Sequence, residues 1–233
     1  MRTIAHGYFL KEYGSWSVLT VAFLTGLVVS REVSWLALPL SLALVLLINS
    51  KQAYPKWVRA HDWKGGTIFL GQIVLATAIL IAVFRSDIAR LLPLLVFPLA
   101  YLLLNRYKGE HFIITELMGF VLLSLAAVLV KFLITGGMDV RLFAATAAYF
   151  TAGVFKVRTL LLKKTTDRIL TVLYVLFAAL VYRGFHIQLV ILIPLVDNII
   201  AAATLYRVKL QITGWIEVVK SLLFLLLMYV YYY

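Results

Sequence analysis

The chain has 233 residues, of which 64% are hydrophobic and 14% charged, and its mean hydropathy is +1.00. Soluble globular domains contain about 45–50% apolar and about 25% charged residues, so a water-soluble enzyme is excluded. Lysine and arginine outnumber aspartate and glutamate by 22 to 10, which gives a net charge of +12. In so apolar a chain this charge indicates membrane lipids and the membrane potential as partners, and not nucleic acid. Because cysteine is absent, disulfides, thiolate metal ligands and Cys nucleophiles are excluded.

Stretches of about 20 mostly apolar residues, the length that crosses the hydrocarbon core of a bilayer, recur along the whole chain. They predict an all-α, polytopic membrane helical bundle of about nine transmembrane helices. This bundle is expected to form a single integral membrane domain over residues 1–233. The predicted spans are 14–30, 34–50, 66–84, 88–105, 112–134, 140–161, 168–183, 186–206 and 211–232.

Two segments outside or at the end of these spans have residue patterns that are typical of the membrane surface. Residues 49–66 alternate aromatic and basic side chains, which predicts a loop with a helix in the headgroup layer; binding of a phosphate-bearing ligand is the alternative. Residues 229–233 contain four tyrosines and predict an aromatic belt at a membrane surface.

The distribution of basic residues predicts the orientation. Fifteen lysines and arginines fall on the N-terminal side of the predicted spans and six on the other side. By the positive-inside rule, the sequence predicts a multi-pass protein of the cell membrane with its N terminus inside and its C terminus outside.

Two turns carry the same pattern, R-x-K-x7-E, over residues 106–116 and 207–217. The copies are 101 residues and four spans apart, and an even number of spans gives both the same membrane orientation. The pattern predicts an internal repeat of spans 2–5 and 6–9. Chance similarity between two cytoplasmic turns is the alternative.

The pattern also places one carboxylate, Glu116 or Glu217, inside each of two spans. Burying an ionised carboxylate in hydrocarbon costs at least about 2.5 kcal/mol, so such groups face the protein interior and have partners. Lys156 and Arg158 at the cytoplasmic end of the sixth span are candidate partners, and they predict a cationic pocket with two carboxylates. Lys220 follows Glu217 by three residues and is an alternative partner. A purely structural ion-pair network explains the same residues.

Polar residues in two other spans are further candidates. Asp197 and Asn198 follow Pro194, a residue that frees backbone carbonyls within a helix. They predict either a binding site or an interhelical hydrogen-bond cluster, and Gln72 is expected to join helices in the same way.

Four short motifs carry a family resemblance: residues 11–16 (Lys-Glu-Tyr-Gly-Ser-Trp), 106–119 (Arg106, Glu116 and Gly119), 155–158 (Phe-Lys-Val-Arg) and 214–217 (Gly214 and Glu217). On them the chain resembles the YwiC-like family of small membrane proteins, with Tyr13 where that family has histidine. The number of spans, the orientation and the cytoplasmic loops after spans two and six are similar, more distantly, to the UbiA superfamily of intramembrane prenyltransferases.

The UbiA resemblance implies a UbiA-like bundle that holds a prenyl diphosphate through Mg²⁺ and aspartate-rich motifs. The corresponding segments here, 49–53 and 156–167, contain Asp167 as their one carboxylate. Because Mg²⁺ prefers oxygen ligands, the residues predict no metal site and no cofactor, and Mg²⁺ enters through the resemblance alone. Lysine and arginine bind phosphate directly in other proteins, which is the expectation here.

The leading hypothesis is therefore binding of an isoprenoid diphosphate or another phosphorylated lipid in a basic pocket on the cytoplasmic side. The predicted substrate-binding residues are Glu12, Arg59, Arg106, Glu116, Lys156, Arg158, Arg207 and Glu217. No catalytic residue is assigned, and the sequence leaves open whether prenyltransferase-like chemistry follows. Two alternatives remain. One is a non-catalytic membrane subunit of a larger, respiratory complex; the other is a small-solute transporter that uses Gln72, Asp197 and Asn198.

Overall fold

The chain folds into apolar helices. The computed structural model describes residue 10, residues 12–206 and residues 210–233, and it contains no β-strand in these ranges. The α-helices in the described part of the chain are α1 (Tyr13–Ser30), α2 (Ala37–Ala60), α3 (Trp63–Phe84), α4 (Ile88–Leu91), α5 (Val96–Lys108), α6 (Ile113–Thr135), α7 (Val140–Leu162), α8 (Thr165–Gly184), α9 (Val196–Thr204) and α10 (Leu210–Tyr231). The predicted all-α, polytopic class is confirmed.

Each predicted span coincides with a helical segment. Seven of these segments are long and apolar enough to cross a membrane within the described residues: α1, α3, α6, α7, α8, the stretch Ile88–Lys108 that joins α4 to α5, and Ile212–Tyr231 of α10. The second predicted span is not among them because the last turns of α2 are polar. The eighth is not among them because Leu189–Thr204 is a shorter apolar segment. The chain is therefore a multi-pass membrane protein.

The segment 49–66 is mostly helical, as predicted, but its helix is the continuation of α2 and the start of α3 and not a separate element. Its location in the headgroup layer stays a prediction. Helix α2 continues through Ala60, and its end is set by His61, which adopts the left-handed conformation with φ 52°. Helix α3 begins at Trp63, where the side chain of Asp62 accepts a hydrogen bond from the backbone N–H of Lys64. Residues 49–60, many of which are polar or basic, thus lie on helix. Hydropathy did not predict the extent of α2, because it reports how apolar a segment is and not its backbone conformation.

The chain divides into two compact units. Unit 1 comprises the described residues up to Trp16 together with 33–115, and α2 packs along α3 in it. Unit 2 comprises residues 17–32 and 116–233. In unit 2, α7 packs against α8 and α9, and α10 packs against the 3-10 segment Leu189–Leu195 that leads into α9. The predicted single domain and internal repeat stay predictions.

Helix α7 begins at a cluster of tyrosines and cations in unit 2. Asp139 caps the helix by accepting a hydrogen bond from the backbone N–H of Leu142 at 2.9 Å, and its carboxylate also pairs with Lys131 Nζ at 2.5 Å. The hydroxyl of Tyr232 donates to the same carboxylate at 2.9 Å, and its side chain is 4% exposed. In the predicted aromatic belt, Tyr232 is therefore a buried structural residue, whereas Tyr229 and Tyr233 are exposed.

Candidate functional site

Two lysines and two carboxylates meet in unit 2. We call Lys156 of α7, Asp197 of α9, and Glu217 and Lys220 of α10 the charge tetrad. Lys156 Nζ lies 2.5 Å from Glu217 Oε1 and also contacts Asp197 Oδ2. Lys220 Nζ lies 3.1 Å from each of the same two oxygen atoms. Each of these oxygens is thus shared by two ammonium groups, and the formal charges of the tetrad sum to zero.

The two lysines of the tetrad are buried, whereas its two carboxylates are partly exposed. The exposed side-chain fractions are 1% for Lys156 and 8% for Lys220, against 25% for Asp197 and 38% for Glu217. An unpaired ammonium group at such burial is strongly unfavourable, so the carboxylates are needed to keep the lysines charged.

The local sequence explains how these groups converge. Pro194 lies in the 3-10 segment Leu189–Leu195, and α9 begins at Val196, so Asp197 occupies the first turn of α9. Carboxylates are favoured there by the helix dipole. On α10, Glu217 and Lys220 are three residues apart and therefore share one helix face.

Uncharged groups fix the positions of the tetrad side chains. Asn198 is fully buried; its Oδ1 accepts a hydrogen bond from Lys220 Nζ at 2.6 Å, and its Nδ2 donates to the carbonyl of Ala152 at 3.0 Å. The hydroxyl of Tyr149 donates to the backbone carbonyl of Lys220 at 3.0 Å. The hydroxyl of Tyr206 donates to Asp197 Oδ1 at 3.2 Å. Asn198 thus makes an interhelical hydrogen bond, as one of the two predicted alternatives requires.

A second ion pair in unit 2 joins Arg158 and Glu116, with Nη1 and Oε2 3.0 Å apart and both side chains 27% exposed. Arg158 Nε is buried and has no hydrogen-bond partner among the described residues. Both glutamates of the R-x-K-x7-E pattern thus pair with α7, Glu116 with Arg158 and Glu217 with Lys156. Residues two apart on a helix point in different directions, so these are two separate pairs.

Unit 1 contains a smaller charged cluster around Lys51. Its Nζ lies 2.7 Å from Glu12 Oε2 and 3.0 Å from Glu110 Oε1. Ser15 donates a hydrogen bond to Glu12 at 2.7 Å. Burial alone would raise the pKa of Glu12, but the hydrogen bond and charge of Lys51 outweigh burial and hold this pKa below its ordinary value of 4.5.

The predicted substrate-binding residues lie in different parts of the structure. Glu116, Lys156, Arg158 and Glu217 lie in unit 2 in the two pairs above. Glu12 and Arg106 lie in unit 1, where Arg106 is exposed at the end of α5. Arg207 lies outside the described residues, and Arg59 lies in α2 with a side chain outside the described part.

Sequence reasoning missed several partners. The ion pairs of Lys51 with Glu12 and Glu110 were not predicted, and Asp197 was not connected with Lys156 and Glu217. The available signal was Asp197 itself, since a carboxylate within an apolar segment requires a cationic partner. The predicted pairing of Lys220 with Glu217 is confirmed. For Gln72, in unit 1, the buried Oε1 has no hydrogen-bond partner among the described residues.

No group of three or more His, Asp or Glu side chains lies together as a metal-ligand set within the described ranges. The expectation that the protein has no metal site and no other cofactor stays a prediction.

The helices and the buried charges define a polytopic membrane protein with paired charges inside its apolar helices. The model of the family described as YwiC-like protein matches residues 10–131, more than half of the chain. The chain therefore belongs to the YwiC-like family, as predicted. The match includes the Lys51 cluster and Glu116 and ends before the charge tetrad. No curated protein and no solved structure matches significantly, so the UbiA resemblance stays a prediction.

Proposed function

We propose that the protein moves ions across the membrane, and that the charge tetrad is the site that handles them. The observation that carries this proposal is the sharing of two carboxylate oxygens by Lys156 and Lys220 within apolar helices. Ionisable side chains at membrane depth are costly, and they commonly mark ion pathways and proton relays. An all-apolar packing of the same helices would avoid that cost.

The helix that carries Asp197 supports the same function. Its first part, Leu189–Leu195, is a 3-10 segment with Pro194 inside it, and the α-helical part begins at Val196. Broken helices beside polar groups form the ion and substrate sites of many transporters. The predicted orientation, with the N terminus in the cytoplasm, is part of the proposal and rests on the distribution of basic residues.

The test is a measurement of electrical current across a lipid bilayer. Purified protein reconstituted into a planar bilayer is expected to pass current above that of protein-free lipid in symmetric NaCl and KCl solutions. Asp197→Asn and Glu217→Gln keep the size of each side chain but remove its charge, and both are expected to abolish the current. Current equal to that of protein-free lipid, or current that is unchanged in both variants, would contradict the proposal.

A second candidate function is binding of a phosphorylated lipid, including an isoprenoid diphosphate, as the sequence suggested. It is favoured by Arg158, whose side chain is 27% exposed and whose buried Nε has no hydrogen-bond partner among the described residues. A guanidinium with a free N–H is suited to a phosphate oxygen. Lys156 supports this candidate less, because two carboxylates already surround its ammonium group.

Labelled prenyl diphosphate offered to the purified protein tests the second candidate. Saturable binding that is lost in Arg158→Ala is expected, and Arg183→Ala serves as a matched control because Arg183 is exposed in the last turn of α8 in the same unit and belongs to no predicted site. No binding, or binding that survives Arg158→Ala, argues against it.

A further inference from the structure

We infer that a basic cluster at the predicted outer end of unit 2 binds the phosphate group of an anionic lipid. We call Arg31, Lys131 and Arg141, together with the rings of Tyr232 and Tyr233, the outer basic cluster. All five residues belong to unit 2 and lie at the ends of α1, α6 and α10 and at the start of α7. None of them is part of the charge tetrad or of the second ion pair of this unit, so the site goes beyond the proposed function.

The three cations converge on two neighbouring tyrosine rings, whose centres are 5.7 Å apart. The guanidinium carbon of Arg31 lies 4.7 Å from the centre of the Tyr233 ring, and Lys131 Nζ lies 5.5 Å from the same centre. From the centre of the Tyr232 ring, Lys131 Nζ is 5.1 Å away and the guanidinium carbon of Arg141 is 5.7 Å away. Lys131 thus lies near both rings, with one arginine beside each of them.

The protein compensates only part of this positive charge. Asp139 pairs with Lys131, whereas Arg31 and Arg141 form no ion pair with a carboxylate in the described ranges. Glu32, which follows Arg31 in the chain, is exposed and likewise has no ion-pair partner among those residues. A tyrosine ring attracts a cation through its quadrupole but does not neutralise its charge. Even with both carboxylates counted, the side chains at this end carry an excess of one positive charge.

The side of the membrane makes this gathering of cations unusual. Six lysines and arginines of the chain are predicted on the outer side, and the outer basic cluster contains three of them. Basic residues in short loops are disfavoured on that side. Their convergence on one pair of rings therefore indicates a role that neutral side chains would not perform.

The free donors of the cluster suit a phosphate group. An arginine side chain presents five N–H donors in a planar fork that matches two phosphate oxygens, and a lysine adds a compact charge. Arg31 and Arg141 are both exposed. One N–H of Arg141 is used by the carbonyl of His186, at 3.2 Å, which fixes the position of the guanidinium and leaves its other donors for a ligand.

The helix face that leads to the cluster favours a lipid over a free anion. Leu222, Leu226 and Tyr229 of α10 are spaced so that they share one face, and they are 60%, 56% and 51% exposed. The guanidinium of Arg31 lies 5.7 Å from the centre of the Tyr229 ring, so this face ends at the cluster. A phospholipid can place its phosphate among the cations while its acyl chains lie along the apolar face. Inorganic phosphate gains nothing from that face.

The experiment measures lipid binding to the full chain, delipidated in a neutral detergent and immobilised on scintillation beads. Binding of tritiated dioctanoyl phosphatidylglycerol is recorded in competition with three unlabelled compounds. These are the same lipid, dioctanoyl phosphatidylcholine, which has the same chains but no net charge, and inorganic phosphate, which has the charge but no chains. We expect phosphatidylglycerol to compete at least about tenfold more strongly than either of the others.

Substitutions locate the site. Arg31→Gln and Arg141→Gln are each expected to lower the affinity for phosphatidylglycerol about fivefold to tenfold, because each removes charge-assisted hydrogen bonds to phosphate. The matched control is Arg183→Gln, which removes the same charge from the last turn of α8 in the same unit. Arg183 has no ring contact or ion pair among the described residues, so its affinity is expected to stay unchanged. Size-exclusion chromatography checks that every variant is folded.

The other outcomes overturn the inference. Equal losses in Arg183→Gln and in the two cluster variants mean that net charge alone governs binding. Equal competition by phosphatidylcholine removes the phosphate charge as the recognised feature, and equal competition by inorganic phosphate assigns the cluster to a free anion. Binding that persists in the double variant of Arg31 and Arg141 but is lost in Arg158→Ala places the lipid at the second candidate site instead.

Discussion

Replacement of Gly26 by alanine is expected to destabilise unit 2, because α1 and α6 approach closely at this glycine. A Cβ atom at position 26 would lie 2.5 Å from the carbonyl oxygen of Ala127 and 2.7 Å from Cβ of Val130. Ordinary contacts of a Cβ atom begin at about 3.4 Å, so the two helices must separate by roughly 1 Å. Small residues permit such close packing between membrane helices.

The magnitude follows from opposing effects. Overpacking of a close contact costs about 1–3 kcal/mol, whereas the higher helix propensity of alanine returns at most about 1 kcal/mol. With about 2 kcal/mol for overpacking and about 1 kcal/mol returned by helix propensity, the net loss is about 1 kcal/mol, which corresponds to about 2–4 °C in the Tm of a chain of this size. Tm is measured from intrinsic tryptophan fluorescence of the protein in detergent.

Gly153→Ala is the matched control, because Gly153 lies in α7 of the same unit and a Cβ atom there would meet nothing within 4 Å. Its Tm is expected to stay equal or to rise slightly. A Gly26→Ala variant that melts with Gly153→Ala, or above it, would refute the close approach of α1 and α6.

Two further predictions concern charged clusters. Burial alone would raise the pKa of Asp139, but hydrogen bonds from Lys131, the backbone N–H of Leu142 and Tyr232 hold this pKa below 3.8. A depressed carboxyl pKa stabilises the fold above its unfolded value and loses this effect as the pH falls through the folded value. The Tm difference between wild type and Asp139→Asn is thus expected to be full at pH 7 and to shrink below about pH 4; a constant difference would contradict the assignment. Lys51→Met leaves two neighbouring carboxylates in unit 1 without their shared cation and is expected to cost about 1 kcal/mol. Lys64→Met, at an exposed position, is the control, and equal Tm values for both variants would show that the Lys51 cluster contributes nothing.

The positions of the helices were predictable because the length of an apolar stretch is a local property of the sequence. The pairing of Glu217 with Lys220 was predictable for the same reason, since three residues on a helix place both side chains on one face. Local periodicity did not predict that α2 extends to Ala60. Its last turns form helix in polar surroundings, where hydropathy gives no signal.

The tetrad as a whole could not be predicted from local sequence patterns. Lys156 and Glu217 are 61 residues apart in the chain, and Lys156 and Asp197 are 41 residues apart. Their contact depends on how α7, α9 and α10 pack, which hydropathy does not specify. The sequence did supply the energetic constraint that each buried carboxylate must find a cation. The structure supplies the identity of the partner, and it shows that one lysine serves two carboxylates.

The contact between Tyr233 and α1 has a consequence for the order in which the protein is made. The hydroxyl of Tyr233 donates a hydrogen bond to the carbonyl of Val29, 204 residues earlier, and the guanidinium of Arg31 lies 4.7 Å from the centre of the Tyr233 ring. Chains fold progressively during synthesis, but a contact of this sequence separation forms late. The first helix therefore enters the bilayer long before these partners exist. During that interval the guanidinium of Arg31 must be accommodated by water, lipid headgroups or the insertion machinery.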